Sequence, residues 1–388
     1  MKIAVFGHSL FHLAVGLREN PANEVKFFVD SATLPVTLKD EPALDDRTFV
    51  QAAPWVTHRE ILRPRTAEIT RCLADFDVAL VTDLGPIFAE SARTDFVFIP
   101  GGSDFTEYPF PFRSRSMRPR GRQDAFSLLV AARLRPAIRS ALGIWGSGPF
   151  SPWVLAASRL GLSLDSFLPR AFDTDLFAPG VERLDGIGES ESITVFHPTR
   201  VLFGTDSHMA ETGGCKGNDL LFRGFAEAVR QGANVRLVLI NRDGSPDQEV
   251  GEKLLTDLGL GKRVEWLRAG NSAGFTWHEL ADLYRSCDIV VSDFAGWTGM
   301  VNVEGAACGK PVVGNLEPKA MEYMYPDGNP HVQAADAEEV CDAIMMLIDP
   351  ERRLSIGSAS RQWALDHHDL SVVARRCETM LATLGLPR

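Results

Sequence analysis

Two series of short apolar runs, separated by a polar stretch, constrain the fold of this chain more than any other feature. The first series is KIAVFG (2–7), EVKFFVD (24–30), DVALVTD (77–83) and DFVFIPGG (95–102). Runs of this length that are rich in β-branched and aromatic residues and end in turn residues predict buried strands. The intervals between them can hold crossover helices, so we expect parallel strands in an α/β domain. Residues 31–60 are too rich in proline and too irregular to assign.

The second series repeats this pattern with SITVFHPTR (192–200), NVRLVLI (234–240), KRVEWLR (262–268), DIVVSDF (288–294) and KPVVGN (310–315). Helical spacing of apolar residues predicts a helix after Lys216. A second helix is predicted to begin at Thr276, because Glu279 stands three residues further on, as in a capping box. With the polar linker at 173–192 between the two series, the sequence predicts two Rossmann-like domains.

Composition and charge limit the classes of protein to consider. A chain of 388 residues with 45% hydrophobic content is long enough for two domains with their own cores. No apolar run approaches the roughly 20 residues of a membrane span, and the first residues lack the pattern of a signal peptide, so we expect a cytoplasmic protein. The net charge of -11 argues against general nucleic-acid binding.

One segment departs from the acidic average. Residues 113–139 carry eight arginines against a single acid, Asp124, and Phe110, Phe112 and Phe126 lie beside or among them. This mixture suits peripheral contact with an anionic membrane at the inner face, or an acidic or phosphorylated acceptor. The alternative is a solvated helical face.

The stretch GWTGMVNVEGAACGKPVVGN (296–315) contains one carboxylate, Glu304, among small and apolar residues. It follows a predicted strand, and ligands bind at the carboxyl ends of strands in open α/β sheets. Gly296 and Gly299 allow close approach of the backbone, and the N–H groups of a helix start attract phosphate. Glu304 can accept hydrogen bonds from a ribose diol, or it can stabilise the helix start through its charge.

The run VEGAACGKPVV (303–313) resembles the retaining GT-B glycosyltransferases of family 4, whose signature is E-x7-E followed by such a helix. This resemblance implies an α/β GT-B fold of two Rossmann-like domains facing across a cleft. It implies an acceptor domain at 1–175, a donor domain at 190–365 and a helix at 366–388 that crosses back to the first domain. The implied substrates are a nucleotide-sugar donor and a sugar-containing or lipid-linked acceptor.

The resemblance also assigns residues. Glu304 is implied to hold the nucleotide ribose, whereas Gly296 stands where the family has its first Glu, which contacts the donor sugar. Arg200 and the pair Lys216 and Gly217 are implied to grip the donor diphosphate, with no metal and no other cofactor required. Fixed cations of this kind stabilise a leaving diphosphate. The remaining donor contacts are expected at Trp297, Thr298, Gly299, Met300 and Val301.

Two candidate groups fall in the first domain. His8 follows the first strand and is predicted to act at the catalytic centre. The turn IPGGSDF resembles a family turn, and it places Gly101, Gly102, Ser103 and Asp104 on the acceptor side. Asp104 can instead be a turn residue that binds its own backbone.

Three other functions compete with glycosyl transfer. A sugar-nucleotide 2-epimerase can share the fold, and a catalytically silent binding module is suggested by Gly296 in place of the first Glu. A dinucleotide oxidoreductase is disfavoured, because GHSLFH is not the G-x-G-x-x-G fingerprint.

Overall fold

The computed structural model describes residues 1–31, 43, 46–54, 57–111, 122–146, 148–164, 166–180, 192–203, 215–241, 247–270 and 274–386. Its contacts divide the chain into two units. Unit 1 comprises Met1–Phe172 with Leu370–Arg388, and unit 2 comprises Asp173–Asp369. Part of the arginine-rich segment, residues 113–121, lies outside the described residues.

Unit 1 is built on a six-stranded parallel sheet with the order β3-β2-β1-β4-β5-β6. Its strands are β1 (Lys2–Phe6), β2 (Glu24–Asp30), β3 (Val50–Ala53), β4 (Val78–Val81), β5 (Phe96–Phe98) and β6 (Gly143–Ile144). Its helices are α1 (Phe11–Arg18), α2 (His58–Leu62), α3 (Glu68–Leu73), α4 (Gly85–Ala92), α5 (Ser103–Thr106), α6 (Arg122–Arg139), α7 (Ser151–Leu160) and the last helix, Leu370–Thr383.

Unit 2 contains a second six-stranded parallel sheet with the order β12-β11-β10-β7-β8-β9. Its strands are β7 (Ile193–His197), β8 (Val235–Ile240), β9 (Val264–Leu267), β10 (Ile289–Val291), β11 (Val312–Gly314) and β12 (Val332–Gln333). Its helices are α8 (Asn218–Arg230), α9 (Gln248–Asp257), α10 (Trp277–Ser286), α11 (Met300–Ala307), α12 (Pro318–Met324), α13 (Ala337–Leu347) and α14 (Pro350–His368). The chain then enters unit 1 through α15, Leu370–Thr383.

The central strands are apolar along their whole length because helices cover both faces of a parallel sheet. In β4 and β10, for example, every residue is buried. The strand order reverses beside β1 in the first sheet and beside β7 in the second. Ligands of such sheets bind outside the carboxyl ends of the strands at this reversal. The residues that follow β1 and β4, and those that follow β7 and β10, are therefore the candidates for ligand binding.

The last helix packs against the first helix of unit 1. A Cβ on Gly16 would lie 2.6 Å from the carbonyl oxygen of Leu370, so glycine permits this close approach. The Glu378 carboxylate accepts hydrogen bonds from the side chains of Asn20 (2.7 Å) and Asn23 (2.6 Å). These contacts tie α15 to the α1–β2 turn.

Several local predictions can be compared with the structure. The capping box is confirmed, because the Thr276 hydroxyl accepts from the Glu279 N–H and the Glu279 carboxylate accepts from the Thr276 N–H. The unassigned stretch 31–60 contains β3 as an edge strand. Within the described residues, no helix is both long enough and apolar enough to cross a membrane.

Gly224 offers a stability test within unit 2. Helix propensity alone predicts that Gly224→Ala gains about 1 kcal/mol. However, the new Cβ would lie 2.5 Å from the Ala337 carbonyl oxygen and 2.7 Å from the Val340 Cβ of α13. Because a backbone atom cannot move cheaply, we expect a net loss of about 2 kcal/mol in the free energy of unfolding, measured by urea denaturation. Gly261→Ala, in the turn before β9, meets no atom within 4 Å and is the control for the steric effect, so it should not lower that free energy.

Candidate functional site

His197, the last residue of β7, lies at the switch point of the second sheet, which is the place where the strand order reverses. Its Nδ1 lies 2.9 Å from the carbonyl oxygen of Val291 in β10, and its Nε2 lies 2.8 Å from the Asn218 side-chain nitrogen. Because an amide NH₂ only donates, Nε2 accepts and Nδ1 carries the proton. Complete burial lowers the pKa of His197 to about 4, so the ring is neutral at physiological pH.

Lys216 lies two residues before α8 and contacts the residues that follow β10. Its Nζ forms a 2.7 Å ion pair with Oδ2 of Asp293, and its carbonyl oxygen accepts from the Phe294 N–H at 3.0 Å. Gly217 follows with φ of 62° as the N-terminal cap of α8, where a Cβ would lie 2.9 Å from the Phe294 Cβ. This tight turn holds the Lys216 ammonium at the carboxyl end of β10.

The Asn218 side chain forms hydrogen bonds with the backbone of the segment that contains Arg200. The Asn218 side chain accepts from the Leu202 N–H at 2.8 Å and donates to the Arg200 carbonyl oxygen at 3.3 Å. The Arg200 side chain itself is exposed. Asn218 therefore links the start of α8 to the backbone at Arg200. Residues 204–214 lie outside the described part of the chain.

Gly296 has a backbone conformation that explains its identity. Its φ is 94°, in the region that favours glycine. Its N–H donates to the Asn315 carbonyl oxygen (3.1 Å) and its carbonyl oxygen accepts from the Glu317 N–H (2.7 Å). The backbone at the position of the family's first Glu is thus paired with the segment after β11.

Of the predicted donor contacts, Trp297, Thr298 and Gly299 form the loop before α11, whereas Met300 and Val301 are its first two residues. The Gly299 N–H donates to the Asn302 side-chain oxygen at 3.0 Å, and the Asn302 side-chain nitrogen donates to the Ser292 hydroxyl at 3.2 Å. Asn302 therefore caps the start of the helix and ties it to the residue after β10. The Thr298 hydroxyl contacts the Met321 sulfur at 3.0 Å.

Glu304 lies in the second turn of α11 and is 9% exposed. Its Oε2 accepts a 2.5 Å hydrogen bond from the Tyr284 hydroxyl. Burial, and then the charge of Glu304, raises the pKa of Tyr284 well above its usual value, so this hydroxyl stays protonated and donates.

In unit 1, the turn after β5 is organised around Asp104. This residue is 1% exposed, and its carboxylate accepts from the N–H groups of Gly101, Gly102 and Asp83 and from the Thr82 hydroxyl. Burial raises the pKa of Asp104, whereas the Gly101, Gly102 and Asp83 N–H groups lower it. Asp104 therefore fixes the geometry of the turn, and its assignment to the acceptor side stays a prediction, as does that of Ser103.

Asp83, which follows β4, is the second carboxylate of this group. Its φ of 52° is unusual for a residue other than glycine. Burial, and then the charge of Asp104, raises the pKa of Asp83 to about 7. Arg170 opposes that shift, and its guanidinium donates to the Pro100 carbonyl oxygen at 2.8 Å. Desolvation by the surrounding protein and then the charge of Arg170 lower the pKa of His8, so this ring is mostly neutral at pH 7.

The arrangement of unit 2 suits an anionic ligand with a hydroxyl-bearing part. Lys216, Arg200 and the start of α11 offer positive charge and N–H groups, and Glu304 offers an acceptor for hydroxyls. Within the described ranges, no group of three or more His, Cys, Asp or Glu residues is placed to hold a metal ion.

Residues 207–350 match the family model described as Glycosyl transferases group 1. We refer to this matching stretch, which comprises 144 of the 388 residues, as the group 1 segment. The group 1 segment contains Lys216, Asp293, Tyr284 and Glu304, whereas His197 and Arg200 precede it.

Two curated proteins are similar to part of the chain. The GDP-mannose-dependent alpha-(1-6)-phosphatidylinositol monomannoside mannosyltransferase of Mycolicibacterium smegmatis is 29% identical over 210 residues, which cover 52% of this chain and 51% of that protein. D-inositol 3-phosphate glycosyltransferase 1 of Catenulispora acidiphila is 33% identical over 166 residues, covering 39% of this chain and 37% of that protein. The chain thus spans about half or less of the length of these relatives.

A solved structure covers the whole fold. The Anabaena protein HepE, crystallised with UDP and glucose, aligns with a TM-score of 0.66 at 19% identity, covering 99% of this chain and 100% of HepE. A likeness at this identity concerns the fold, and the predicted α/β GT-B fold is confirmed.

Several residues of these clusters were not predicted from the sequence, among them Asp83, Arg170, Tyr284 and Asp293. Asp83 and Asp293 could have been predicted from their positions, because each follows a predicted strand at the carboxyl end where ligands bind. Arg170 and Tyr284 could not, since nothing local distinguishes a buried partner from a surface residue.

Proposed function

We propose that this protein is a retaining glycosyltransferase that moves a sugar from a nucleoside-diphosphate sugar to an acceptor. The observation that carries the proposal is the placement of Lys216 and the start of α11 at the switch point of the second sheet, with Glu304 on the same helix. The group 1 segment and the transferase activities named for the curated relatives support it.

The chemistry follows from the charges. As the bond between the anomeric carbon and the phosphate oxygen breaks, negative charge grows on the diphosphate, so cations stabilise the transition state more than the ground state. Lys216 and Arg200 supply that charge without a metal ion. The acceptor oxygen attacks the same face of the sugar, and its proton passes to the departing phosphate. Atoms and charges balance without a protein nucleophile, and no cofactor is needed.

In this proposal the nucleotide lies on unit 2. Glu304 accepts the ribose hydroxyls, and the loop Trp297–Val301 contacts the phosphate and the sugar. Asn302 already occupies the Gly299 N–H, which leaves the neighbouring N–H groups as the predicted donors. Glycine at position 296 favours a donor sugar whose hydroxyls differ from those that a glutamate would bind.

The test is titration calorimetry of UDP, GDP, ADP and dTDP in the presence of EDTA. HepE was crystallised with UDP and the mycobacterial relative uses GDP-mannose, so the first two are the leading ligands. Binding of one of them supports the donor site and identifies the sugar nucleotides for transfer assays, in which NMR must find the donor's anomeric configuration in the product. Absence of binding by all four contradicts the proposal and favours a silent binding module, while an inverted product contradicts retention.

Asp83 supports a second candidate function, that of a sugar-nucleotide 2-epimerase. A carboxylate with a pKa near 7 at a switch point can transfer protons, as a sugar-nucleotide 2-epimerase requires. Incubation with UDP-N-acetylglucosamine without an acceptor distinguishes the two activities, because only the epimerase changes the configuration at carbon 2.

We further propose that unit 1 binds the acceptor through His8 and the turn Gly101–Asp104, and that residues 113–139 contact an anionic membrane surface. In the described half of that segment, two of the arginines have contacts within the protein. The Arg135 guanidinium donates to the Pro109 carbonyl oxygen and the Arg139 guanidinium donates to the Leu160 carbonyl oxygen. Arg133 and Leu128 are exposed and remain available for such a contact.

A further inference from the structure

Tyr284 has no role in the proposed chemistry, yet it is one of the most buried large side chains of unit 2. It lies near the end of α10, and its ring packs edge-on against Phe196 of β7 at 5.2 Å and in a tilted arrangement against Phe177 at 6.1 Å. These two aromatic contacts fix the plane of the ring. The position of the hydroxyl at its tip is therefore set by the core rather than by solvent.

That hydroxyl is directed at a single carboxylate. A buried phenol needs a hydrogen-bond partner, and the Tyr284 hydroxyl finds one 20 residues away in Glu304, at 2.5 Å. A glutamate has three rotatable side-chain bonds, and ordering them on binding opposes affinity. A rigid donor that already holds one carboxylate oxygen removes part of that opposition.

We propose that Tyr284 is the positioning residue of Glu304, and that its hydroxyl holds the carboxylate in the orientation that accepts the ribose hydroxyls of the donor nucleotide. This inference rests on the proposed function. A carboxylate has about four acceptor positions on its two oxygens, so one hydrogen bond from tyrosine is compatible with further bonds to a diol.

The charge state of the pair supports this arrangement. Since burial and Glu304 raise the pKa of Tyr284 well above its usual value, the phenol cannot lose its proton to the carboxylate at physiological pH. The hydroxyl therefore remains a donor to the carboxylate.

The experiment compares Tyr284→Phe with wild type in titrations of UDP and GDP and of their 2′,3′-dideoxy analogues. The substitution keeps the ring and removes only the hydroxyl. We expect about 5- to 10-fold weaker binding of the ribonucleotide, since one hydrogen bond to a charged group is lost or misdirected. The dideoxy analogue, which has no diol, should bind both proteins equally.

A double-mutant cycle with Glu304→Gln strengthens the test. If tyrosine acts through Glu304, then Tyr284→Phe has no further effect on ribonucleotide affinity in the Glu304→Gln background. Tyr325→Phe is the matched control, because Tyr325 is also buried in unit 2 and its hydroxyl pairs with His368 at 2.9 Å. It should leave both affinities unchanged.

The titrations distinguish failure of the positioning role of Tyr284 from failure of the donor site itself. Equal losses for ribonucleotide and dideoxy analogue, or no loss for either, overturn the positioning role, because a purely structural tyrosine does not sense the diol. If wild type binds neither UDP nor GDP, the donor site assigned to these nucleotides fails first, and the inference fails with it.

Discussion

Lys216→Ala should weaken nucleoside-diphosphate binding by about 10- to 100-fold, which is the effect of losing a charge-assisted hydrogen bond. The Lys216 Nζ is held by Asp293 at 2.7 Å at the carboxyl end of β10. A fixed ammonium there meets a diphosphate without having to be ordered first. Titration calorimetry of the nucleotide that binds wild type measures the loss.

Two comparisons make this result specific. The loss should be smaller for the corresponding nucleoside monophosphate, which lacks the second phosphate. Lys262→Ala, which removes an exposed lysine of the same unit, should leave the affinity unchanged. An unaltered affinity of Lys216→Ala for the diphosphate would refute the assignment.

Asp293 contributes to the size of the effect. In Lys216→Ala its carboxylate loses the ion pair and adds a repulsion towards the phosphates. The double variant Lys216→Ala with Asp293→Asn removes that repulsion, and we expect it to recover part of the lost affinity. The difference between the single and double variants separates the attraction by Lys216 from the repulsion by Asp293.

The sequence predicted the central strands well because each is buried on both faces and therefore apolar over its whole length. The strands at the edges of the sheets were harder to predict. Strand β3 has four residues, two of them only partly buried, and strand β12 has two residues. Runs this short carry no measurable periodicity, and their place in a sheet is decided by the neighbouring strand.

Some residues of the candidate site could likewise be predicted from the sequence, and others could not. Lys216 and Glu304 were found because a contiguous motif surrounds each. The hydroxyl of Tyr284 meets Glu304 from another helix, and Arg170 lies 66 or more residues from both Asp83 and Asp104, so only the fold brings these partners together. Gly296 departs from the family pattern, and its φ of 94° supplies a reason that the sequence could not.

Arg170→Met should lower the free energy of unfolding by about 3 kcal/mol at pH 8, because it leaves buried carboxylates without their cation. The Arg170 guanidinium faces Asp83 and Asp104 and donates to the Pro100 carbonyl oxygen. At pH 5 we expect a smaller loss, of about 1 kcal/mol, since Asp83 is then protonated in the folded protein. Urea denaturation at the two pH values measures the difference.

The sign follows from the pKa of Asp83, which is about 7 in the folded protein and near 3.8 otherwise. An acid whose pKa is raised by folding favours the folded state most at low pH, and that contribution is lost as the pH rises from about 4 to 7. Without Arg170 the folded pKa of Asp83 rises further, so the loss extends to higher pH and the variant falls progressively below wild type.

Asp83→Asn provides the decisive partner variant. Asparagine tolerates the positive φ of this position and removes the charge, so in the Arg170→Met background it should restore stability at pH 8 and flatten the pH dependence. Arg376→Met, which removes a guanidinium that donates to the Phe167 carbonyl oxygen, controls for the loss of an arginine in the same unit and should cost the same at both pH values. A cost of Arg170→Met that does not change between pH 5 and pH 8 would mean that Asp83 is already ionised at pH 5.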